Sequence, residues 1–308
     1  MKTASLPRSF IWEVTMLDLV ARAVTVGNFD GCHLGHQEVF QILRTEAKAR
    51  GLVPTVVSFE PHTRHVLGIP GHPALLTTTE EKSFFVRSLG LDFVALPFSR
   101  QVAEQPFQQF FQEKILGELN TKFLVLGHDH RFGAAGKGTF DAIIAAFPDV
   151  SAIQVSAKYK DGEILSSSRI RNALENGAVE RATTFLGRPY RIHGIVVDGK
   201  HLGRTIGFPT ANVQTGAFKL IPKYGSYAAV VRLQNSTAHR AVVNIGRQPS
   251  IGDLPLAIEA HILDFNQNIY GQSMDVDLVA FIRPEQKFDS LDDLKRQIGM
   301  DADFARNI

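Results

Sequence analysis

The stretch VTVGNFDGCHLGH, residues 24–36, runs from an apolar segment through a glycine-containing turn to two histidines. Residues 23–26 are apolar and rich in β-branched side chains, which predicts a strand. Over residues 36–50, apolar side chains recur at helical spacing, namely Val39, Phe40, Leu43 and Ala47. The sequence therefore predicts a strand, a tight turn and a helix in succession.

His33 and His36 stand three positions apart, so they can share one face where the helix begins. Free N–H groups and the dipole at a helix N-terminus attract anions, which makes this turn a candidate phosphate site. The pattern resembles the HxGH signature of the nucleotidyltransferase superfamily. That resemblance implies that both histidines are catalytic and that AMP passes from ATP to an acceptor without a covalent intermediate. It also implies ATP contacts for Gly27, Phe29 and Asp30.

Two other interpretations of this turn stay open on the residues alone. His33, His36 and Cys32 could hold a metal ion, or the histidines could be ordinary surface residues. A structural zinc site needs four ligands with paired spacing, and Cys32 is the single cysteine in 308 residues. We therefore expect the Cys32 thiol to be chemically inert and to serve only in packing. A single cysteine in the chain also fits a reducing compartment, so we expect a cytoplasmic location.

A second candidate phosphate element is SSSRIR, residues 166–171. Serine caps helices and arginine forks bind phosphate, although a plain helix cap with solvent-facing arginines is the alternative. In the same superfamily a similar S-S-T-x-I-R segment holds the β- and γ-phosphates of ATP. The resemblance implies this role for Ser167, Ser168 and Arg171, with Ser168 replacing the usual threonine.

Composition places the chain among globular proteins with two domains, since 44% of its 308 residues are hydrophobic and 21% are charged. The net charge of +2 is spread without a basic stripe, so nucleic acid is not an expected partner. Residues 1–10 lack the apolar core of a secretory signal, and no run reaches the roughly 18 apolar residues of a membrane span. The oligomeric state is left open.

The N-terminal part alternates strand-like and helical segments, which predicts an α/β fold: a Rossmann-like parallel sheet with crossover helices. The predicted strands after the first are 52–59, 93–96, 123–126 and 150–155, and the predicted helices are 36–50, 79–89, 101–118 and 138–147. Ligands bind beyond the carboxyl ends of such strands, where residues 27–36, 59–65 and 127–133 fall. We expect these three loops to converge on one crevice.

Two of these loops resemble segments of flavin adenylyltransferases. Residues 127–133, GHDHRFG, match a G-x-D-x-x-F-G stretch, which implies that Asp129 lies near the nucleotide or the flavin. Residues 59–62, FEPH, match an F-x-P-H segment, which implies that Phe59, Pro61 and His62 line the flavin pocket. Thr63 stands where that family often has a second proline.

From about residue 187 the pattern changes to short strands between glycine, proline and asparagine turns, which predicts a small antiparallel barrel. The predicted strands are 191–198, 226–233, 240–245, 256–264 and 275–282, followed by a terminal helix over 290–298. We therefore predict an adenylyltransferase domain at 1–187 and a barrel domain at 188–308.

The barrel domain contains GKHLGRTIGFPTAN, residues 199–212. It is glycine-rich but lacks the G-K-[ST] ending of a P-loop, so no P-loop mechanism follows. The run resembles the G-R-x-x-G-F-P-T-A-N signature of riboflavin kinases. The resemblance implies that Thr210 and Asn212 hold the Mg²⁺ of ATP, and that the phosphates are bound by Gly199, Gly203, Arg204 and Gly207.

Further barrel segments match the same family in order and spacing: residues 243–250, 258–265 and 285–290. Glu259 lies in an alternating strand, and an exposed strand glutamate is the plain alternative. The resemblance implies instead that Glu259 is the general base for the riboflavin 5′-hydroxyl. It also implies that Arg283 and Phe288 line the flavin site, whereas Ser250 stands where threonine is common.

From about residue 24 to residue 298 the chain thus resembles bacterial bifunctional enzymes that join a riboflavin kinase to an FAD synthetase. The resemblance implies ATP, riboflavin and FMN as substrates, FAD as product and Mg²⁺ as cofactor. Another HxGH transferase, such as a cytidylyltransferase or a synthetase fragment, would leave the kinase motifs unexplained. A flavin-binding regulator without turnover is a second alternative, and the intact Thr210, Asn212 and Glu259 disfavour it.

Overall fold

The computed structural model describes residues 20–68, 74–199, 202–233, 237–247 and 256–308. Their contacts divide the chain into two compact units. Of the described residues, the first unit comprises 20–29, 36–68 and 83–157, and the second comprises 30–35, 74–82 and those from 158 onward. No helix in the described part of the chain has both the length and the apolar content needed to cross a bilayer.

The first unit is built on a five-stranded, fully parallel sheet with the strand order β3-β2-β1-β4-β5. Its strands are β1 (Arg22–Val26), β2 (Val53–Glu60), β3 (Asp92–Pro97), β4 (Thr121–Gly127) and β5 (Ser151–Val155). The order reverses at β1, which has β2 on one side and β4 on the other. Because ligands bind where the strand order of such sheets reverses, the turn after β1 is the expected site.

Helices connect these strands: α1 (Leu34–Arg50), α2 (Thr63–Leu67), α3 (Thr79–Ser88), α4 (Arg100–Glu104), α5 (Phe107–Phe110) and α6 (Phe140–Ala146). A π-helix (Phe111–Glu118) continues directly from α5, and a short 3₁₀ turn (Ala134–Gly136) precedes α6. The side chains that predicted α1 are the ones it buries. The sheet core packs apolar residues of β1, β2 and β4 against phenylalanines of α5 and the π-helix.

The predicted continuous helix over 101–118 is wrong. The structure ends α4 at Glu104 and begins α5 at Phe107. Pro106 lies between them as the N-cap residue of α5, with φ of −53° and ψ of 137°. Proline has no N–H to donate to the preceding turn, so it begins a helix and cannot continue one.

The second unit contains a closed six-stranded antiparallel barrel with the order β10-β11-β12-β9-β8-β13, in which β13 pairs with β10. Its strands are β8 (Tyr190–Val197), β9 (Ala211–Thr215), β10 (Gly225–Leu233), β11 (His239–Gly246), β12 (Ala257–Ile262) and β13 (Ser273–Pro284). Alternate apolar residues of all six strands fill the interior. The predicted barrel is confirmed, but the sequence prediction missed β9, which follows directly on a glycine- and proline-rich loop.

Besides the barrel, the described residues from 158 onward form a small hairpin and several helices. The hairpin pairs β6 (Tyr159–Lys160) with β7 (Glu163–Ile164). The helices are α7 (Ser167–Glu175), α8 (Val179–Leu186), α9 (Leu202–Thr205) and α10 (Leu291–Arg306). Ser290 caps α10, which continues to Arg306 and is longer than the predicted helix. Ala302 and Ala305 of α10 pack on the outer face of the barrel against Ala228 and Val242.

Candidate active sites

The turn between β1 and α1 has an unusual backbone. Phe29, Gly31 and Cys32 have positive φ angles of 46°, 83° and 42°. Glycine adopts such angles freely, whereas each non-glycine residue pays about 1–3 kcal/mol when its surroundings hold it there. Burial raises the pKa of the Cys32 thiol to about 11, so the thiol is protonated at neutral pH and is a poor nucleophile. The backbone of this turn is therefore held in an unusual conformation, and the Cys32 side chain serves only to fill space within it.

Asp30 holds this turn through a buried network and is only 3% exposed. Its carboxylate accepts hydrogen bonds from the backbone N–H groups of Leu76 (3.1 Å) and Thr77 (3.0 Å) and from the Thr77 hydroxyl. It also forms an ion pair with Arg171. Both carboxylate oxygens are engaged by protein groups, so the predicted contact between Asp30 and ATP stays a prediction.

Helix α7 meets the same network. Ser166 caps the helix by accepting from the N–H of Arg169, and the Ser167 hydroxyl donates to the carbonyl of Asp30 at 2.8 Å. Arg171 is 8% exposed and also donates to the carbonyl of Ala74 at 3.1 Å. Of the predicted phosphate ligands here, only the Ser168 side chain is exposed. Phosphate binding by Ser167, Ser168 and Arg171 stays a prediction.

The two histidines lie at the start of α1. His33 is the residue before the helix and is 6% exposed, and His36 lies in the first turn. A Cβ atom on Gly35 would lie 3.2 Å from the His33 ring, so glycine allows the backbone to pass close to this ring. The Phe29 ring packs edge-on against His36, with centroids 5.3 Å apart. Both imidazoles are thus held at a helix N-terminus.

The first unit contains a cavity of about 400 Å³ at the carboxyl ends of its strands. Aromatic side chains line it: Phe59, Phe98, Phe110 and Phe132. Residues from all three predicted loops contribute, and Asn28 donates to the Thr63 hydroxyl across two of them at 3.0 Å. The expected convergence of these loops is confirmed. An aromatic-walled cavity of this size fits a planar ring system.

Not every predicted flavin residue lines this cavity. Phe59 does, whereas Pro61 and Asp129 are exposed and stand outside the lining, with 84% of the Asp129 side chain accessible. His62 is buried as the N-cap residue of α2, where its Nδ1 accepts from the N–H of Arg64 at 3.3 Å. Flavin contacts for these three residues stay predictions.

His130 lines the cavity, and the sequence analysis did not single it out. Within the described residues, its Nε2 atom is buried without a hydrogen-bond partner. Burial lowers the pKa of His130 to about 4, which leaves the ring neutral at pH 7. The sequence signal that could have identified His130 is its position between a buried strand and Phe132. A neutral, polar ring in the wall of an aromatic cavity makes His130 a candidate contact for a bound ligand.

A row of polar side chains crosses the outer face of the barrel, and we call it the polar row. Backbone register places Asn212 opposite Glu259, Glu259 opposite Asn244, Asn244 opposite Ser226, and Ser226 opposite Arg283. The neighbours of Glu259 in sequence, Ile258 and Ala260, point into the apolar interior. Residues directly opposite in a sheet share a face, so the polar row spans five consecutive strands, with Ser226 buried within it. Asn212, Glu259 and Arg283 were predicted from the sequence, whereas Asn244 and Ser226 were not.

The glycine-rich loop lies at the Asn212 end of the polar row. A Cβ on Gly199 would lie 2.0 Å from the Asn212 amide nitrogen, and one on Gly203 would lie 2.2 Å from the carbonyl oxygen of Phe208. Glycine is required at position 203 because the obstructing atom belongs to the backbone, whereas at position 199 the Asn212 side chain would have to move. Gly207 has a φ of 90° and lies in the turn after α9. Lys200, His201 and Ser250 lie outside the described residues.

A cavity of about 560 Å³ adjoins this loop. Arg204, Pro209 and Thr210 line it on one side, and residues 265–270 line it on the other. The neutral, hard oxygen donors that line it are the Thr210 hydroxyl and the side-chain carbonyls of Asn266, Gln267 and Asn268, while Asn212 lies outside the lining. Within the described ranges, no three His, Cys, Asp or Glu side chains gather as metal ligands. This donor set fits Mg²⁺, which takes few protein ligands when phosphate oxygens supply the others.

At the other end of the polar row, Arg283 forms an ion pair with Asp301 of α10, with its Nε 3.0 Å and its terminal nitrogen 2.8 Å from Oδ2. The Arg283 guanidinium also lies 5.6 Å from the centre of the Phe288 ring. Arg283 and Phe288, the two residues predicted to line the flavin site, are therefore close to each other in space.

Comparisons with known proteins match the two parts of the chain to two different families. The family profile described as FAD synthetase matches residues 18–169, and the one described as Riboflavin kinase matches residues 186–308. The chain is similar to proteins named bifunctional riboflavin kinase/FMN adenylyltransferase. The protein from Haemophilus influenzae is 39% identical over 92% of this chain and 93% of its own. Those from Escherichia coli K12 and Bacillus subtilis are both 37% identical, over 92% and 90% of this chain and 91% and 89% of their own.

A solved structure also matches almost the whole chain. It is described as a macrolide-efflux protein from Streptococcus pneumoniae and is 33% identical in sequence. The match has a TM-score of 0.84 and covers 94% of this chain and 95% of that one.

Proposed function

The chain belongs to the family of bifunctional riboflavin kinase/FMN adenylyltransferases, and we propose how its residues divide the two reactions. The enzyme phosphorylates riboflavin to FMN with one ATP and adenylylates FMN to FAD with a second, releasing pyrophosphate. The kinase reaction belongs to the barrel and the adenylylation to the parallel-sheet region. We place the boundary after residue 187.

For the kinase, the supporting observation is the position of Glu259 inside the polar row, directly opposite Asn212. The cavity beside Thr210 suits ATP at one end of the row, and Arg283 with Phe288 suits the flavin ring at the other. Glu259 then stands where the 5′-hydroxyl meets the γ-phosphate. Its carboxylate takes the hydroxyl proton as the oxygen attacks, a contribution of about 10²–10⁴-fold. ADP leaves as FMN forms.

Thr210 and Asn212 would hold Mg²⁺ in this site. When bound, the ion neutralises charge on the phosphate oxygens as the phosphoryl group transfers. The loop glycines allow backbone N–H groups to approach the same phosphates, and Arg204 adds a positive charge at the cavity wall. The protein residues thus position the phosphates for in-line attack.

For adenylylation, the FMN phosphate is the nucleophile and attacks the α-phosphate of ATP. It is already an anion, so no protein base is needed to activate it. His33, His36 and the N–H groups at the start of α1 stabilise the charge that develops on the α-phosphate. The aromatic cavity with Phe59 and His130 suits the flavin ring. Pyrophosphate leaves as FAD forms.

The deciding experiment is to incubate the purified protein with riboflavin, ATP and Mg²⁺. The amounts of riboflavin, FMN and FAD are then followed over time by chromatography. FMN followed by FAD is the expected result. Bound flavin with unconsumed ATP would contradict the assignment and favour a flavin-binding regulator. We expect small molecules as the working partners and the reducing cytoplasm as the location, in keeping with one buried cysteine.

A further inference from the structure

The turn that carries His33 needs support, because Phe29 and Cys32 both have positive φ angles. Strained backbone persists only where the surrounding structure over-determines it. Residues 30–35 and 73–82 belong to the compact unit that also contains the barrel. The support for this turn can therefore be traced to residues of the kinase half.

One support is direct. Arg188 precedes β8, and its two terminal nitrogens donate hydrogen bonds to the carbonyls of Gly31 (2.9 Å) and Cys32 (3.2 Å). A guanidinium presents its donors in a rigid planar fork, so two accepted bonds fix the direction of two successive peptide groups. Arg188 thus holds the backbone immediately before His33.

A second support begins at Lys219, whose side chain is 1% exposed. Its ammonium lies 2.6 Å from Glu81 Oε2, donates to the carbonyl of Leu76 at 2.7 Å and lies 4.5 Å from the centre of the Tyr190 ring. A buried ammonium is tolerated only when it is paired and hydrogen-bonded, as Lys219 is here. Lys219 therefore attaches residues 76–81 firmly to the barrel.

The attachment is reinforced on both sides of Lys219. Glu81 uses its other oxygen to accept from the N–H of His193 in β8 at 2.9 Å. The backbone of Leu75 forms hydrogen bonds with Phe218 (2.6 Å) and Leu220 (2.7 Å). Residues 75–81 thus lie along the barrel as a fixed strap.

The strap in turn holds Asp30. The N–H of Leu76 donates to Asp30, while the carbonyl of the same residue accepts from Lys219. Thr77 donates to Asp30 as well. A continuous series of buried polar contacts therefore runs from Lys219 through Leu76 to Asp30, three residues before His33.

We propose that Lys219 and Arg188, both from the kinase half, are positioning residues for FMN adenylylation, because they fix the strained turn that carries His33. This inference rests on the proposed role of His33. Neither residue belongs to the polar row, so we expect the kinase reaction to be spared when they are replaced. Misplacement of a catalytic group by about 1 Å can cost 10²-fold in rate, so the effect falls on kcat for FAD formation.

The test compares the full-length double variant Lys219→Met/Glu81→Met with the wild type and with the control Lys223→Met, which removes an exposed lysine four residues further on. Replacing both partners avoids leaving an uncompensated buried charge. Arg188→Lys is the second variant, since it keeps the charge and loses the fork. FMN formation, FAD formation from supplied FMN, and the melting temperature are measured for each.

For both variants we expect kcat for FAD formation to fall by about 10- to 100-fold. The KM for FMN and the rate of FMN formation stay within about twofold of the wild type, as do all the values for Lys223→Met. Wild-type FAD rates in the double variant would overturn the proposal. Equal loss of both activities would also overturn it, because that result indicates general destabilisation. A wild-type protein that makes no FAD would instead refute the proposed function itself.

Discussion

Glu259 of β12 lies directly opposite Asn212 of β9 in the antiparallel register of the barrel, and both side chains are half-buried on its outer face. The proposed base and the proposed metal ligand are thus cross-strand neighbours, whose Cβ atoms lie within about 5.5 Å in such pairs. This spacing is short enough for one γ-phosphate to contact both groups. It follows from strand pairing rather than from flexible loops.

Substitution Glu259→Gln should lower kcat for FMN formation by about 10²–10⁴-fold, because the amide keeps the size of the side chain but cannot accept the hydroxyl proton. FAD formation from supplied FMN should stay at the wild-type rate. Both rates are measured by flavin chromatography. Asp264→Asn removes an exposed carboxylate just after the same strand and serves as the control. A Glu259→Gln enzyme with normal FMN formation would rule out the base.

Substitution His36→Ala should have the opposite effect. Loss of one preorganised donor to the developing phosphate charge costs about 10²–10³-fold in kcat, so FAD formation should nearly vanish. FMN formation in the same sample is the internal control and should be unchanged. Loss of both activities would contradict independent sites.

The cavity in the first unit gives a prediction for His130. Substitution His130→Phe preserves an aromatic wall and removes the ring nitrogens, so the flavin loses one hydrogen bond worth about 1 kcal/mol. The KM for FMN in FAD formation should therefore rise about fivefold. His128→Phe alters an exposed histidine two residues earlier and should change nothing. An unchanged KM in His130→Phe would show that Nε2 does not contact the flavin.

The barrel stability should depend on pH through His193. The Asp275 carboxylate accepts a hydrogen bond from His193 Nδ1 at 2.7 Å, and this raises the pKa of His193 above its ordinary 6.5 despite partial burial. Because the folded pKa is the higher one, this stabilisation is fully present below pH 6.5 and disappears as the pH rises through the raised value. Urea unfolding should thus show a larger difference between the wild type and His193→Asn at pH 6 than at pH 9. An equal difference at both values would contradict it.

The sequence predicted the fold well where periodic patterns dominate. The helical spacing of Val39, Phe40, Leu43 and Ala47 predicted α1, and these four side chains are the ones that α1 buries. It predicted poorly where local chemistry conflicts with the pattern. Pro106 interrupts an otherwise helical run, and β9 follows directly on a glycine-rich motif, where the strand pattern is weak.

The sites were harder to predict than the fold because their geometry depends on distant partners. Motifs marked Asp30 and Arg171 separately, yet their ion pair joins positions 141 residues apart in sequence. Lys219 and Glu81 are 138 residues apart and match no motif. Single-sequence patterns report neighbours along a strand or helix, and they carry no signal for side chains that meet only after the whole unit has folded.

The polar row has a consequence for how the kinase half can change. Apolar side chains fill the interior of the closed barrel, while Asn212 and Glu259 lie on its outer face. Side chains on that face can therefore be exchanged without disturbing the apolar filling or the hydrogen bonds between the strands. The residues that set the chemistry and those that hold the scaffold together are thus largely different ones.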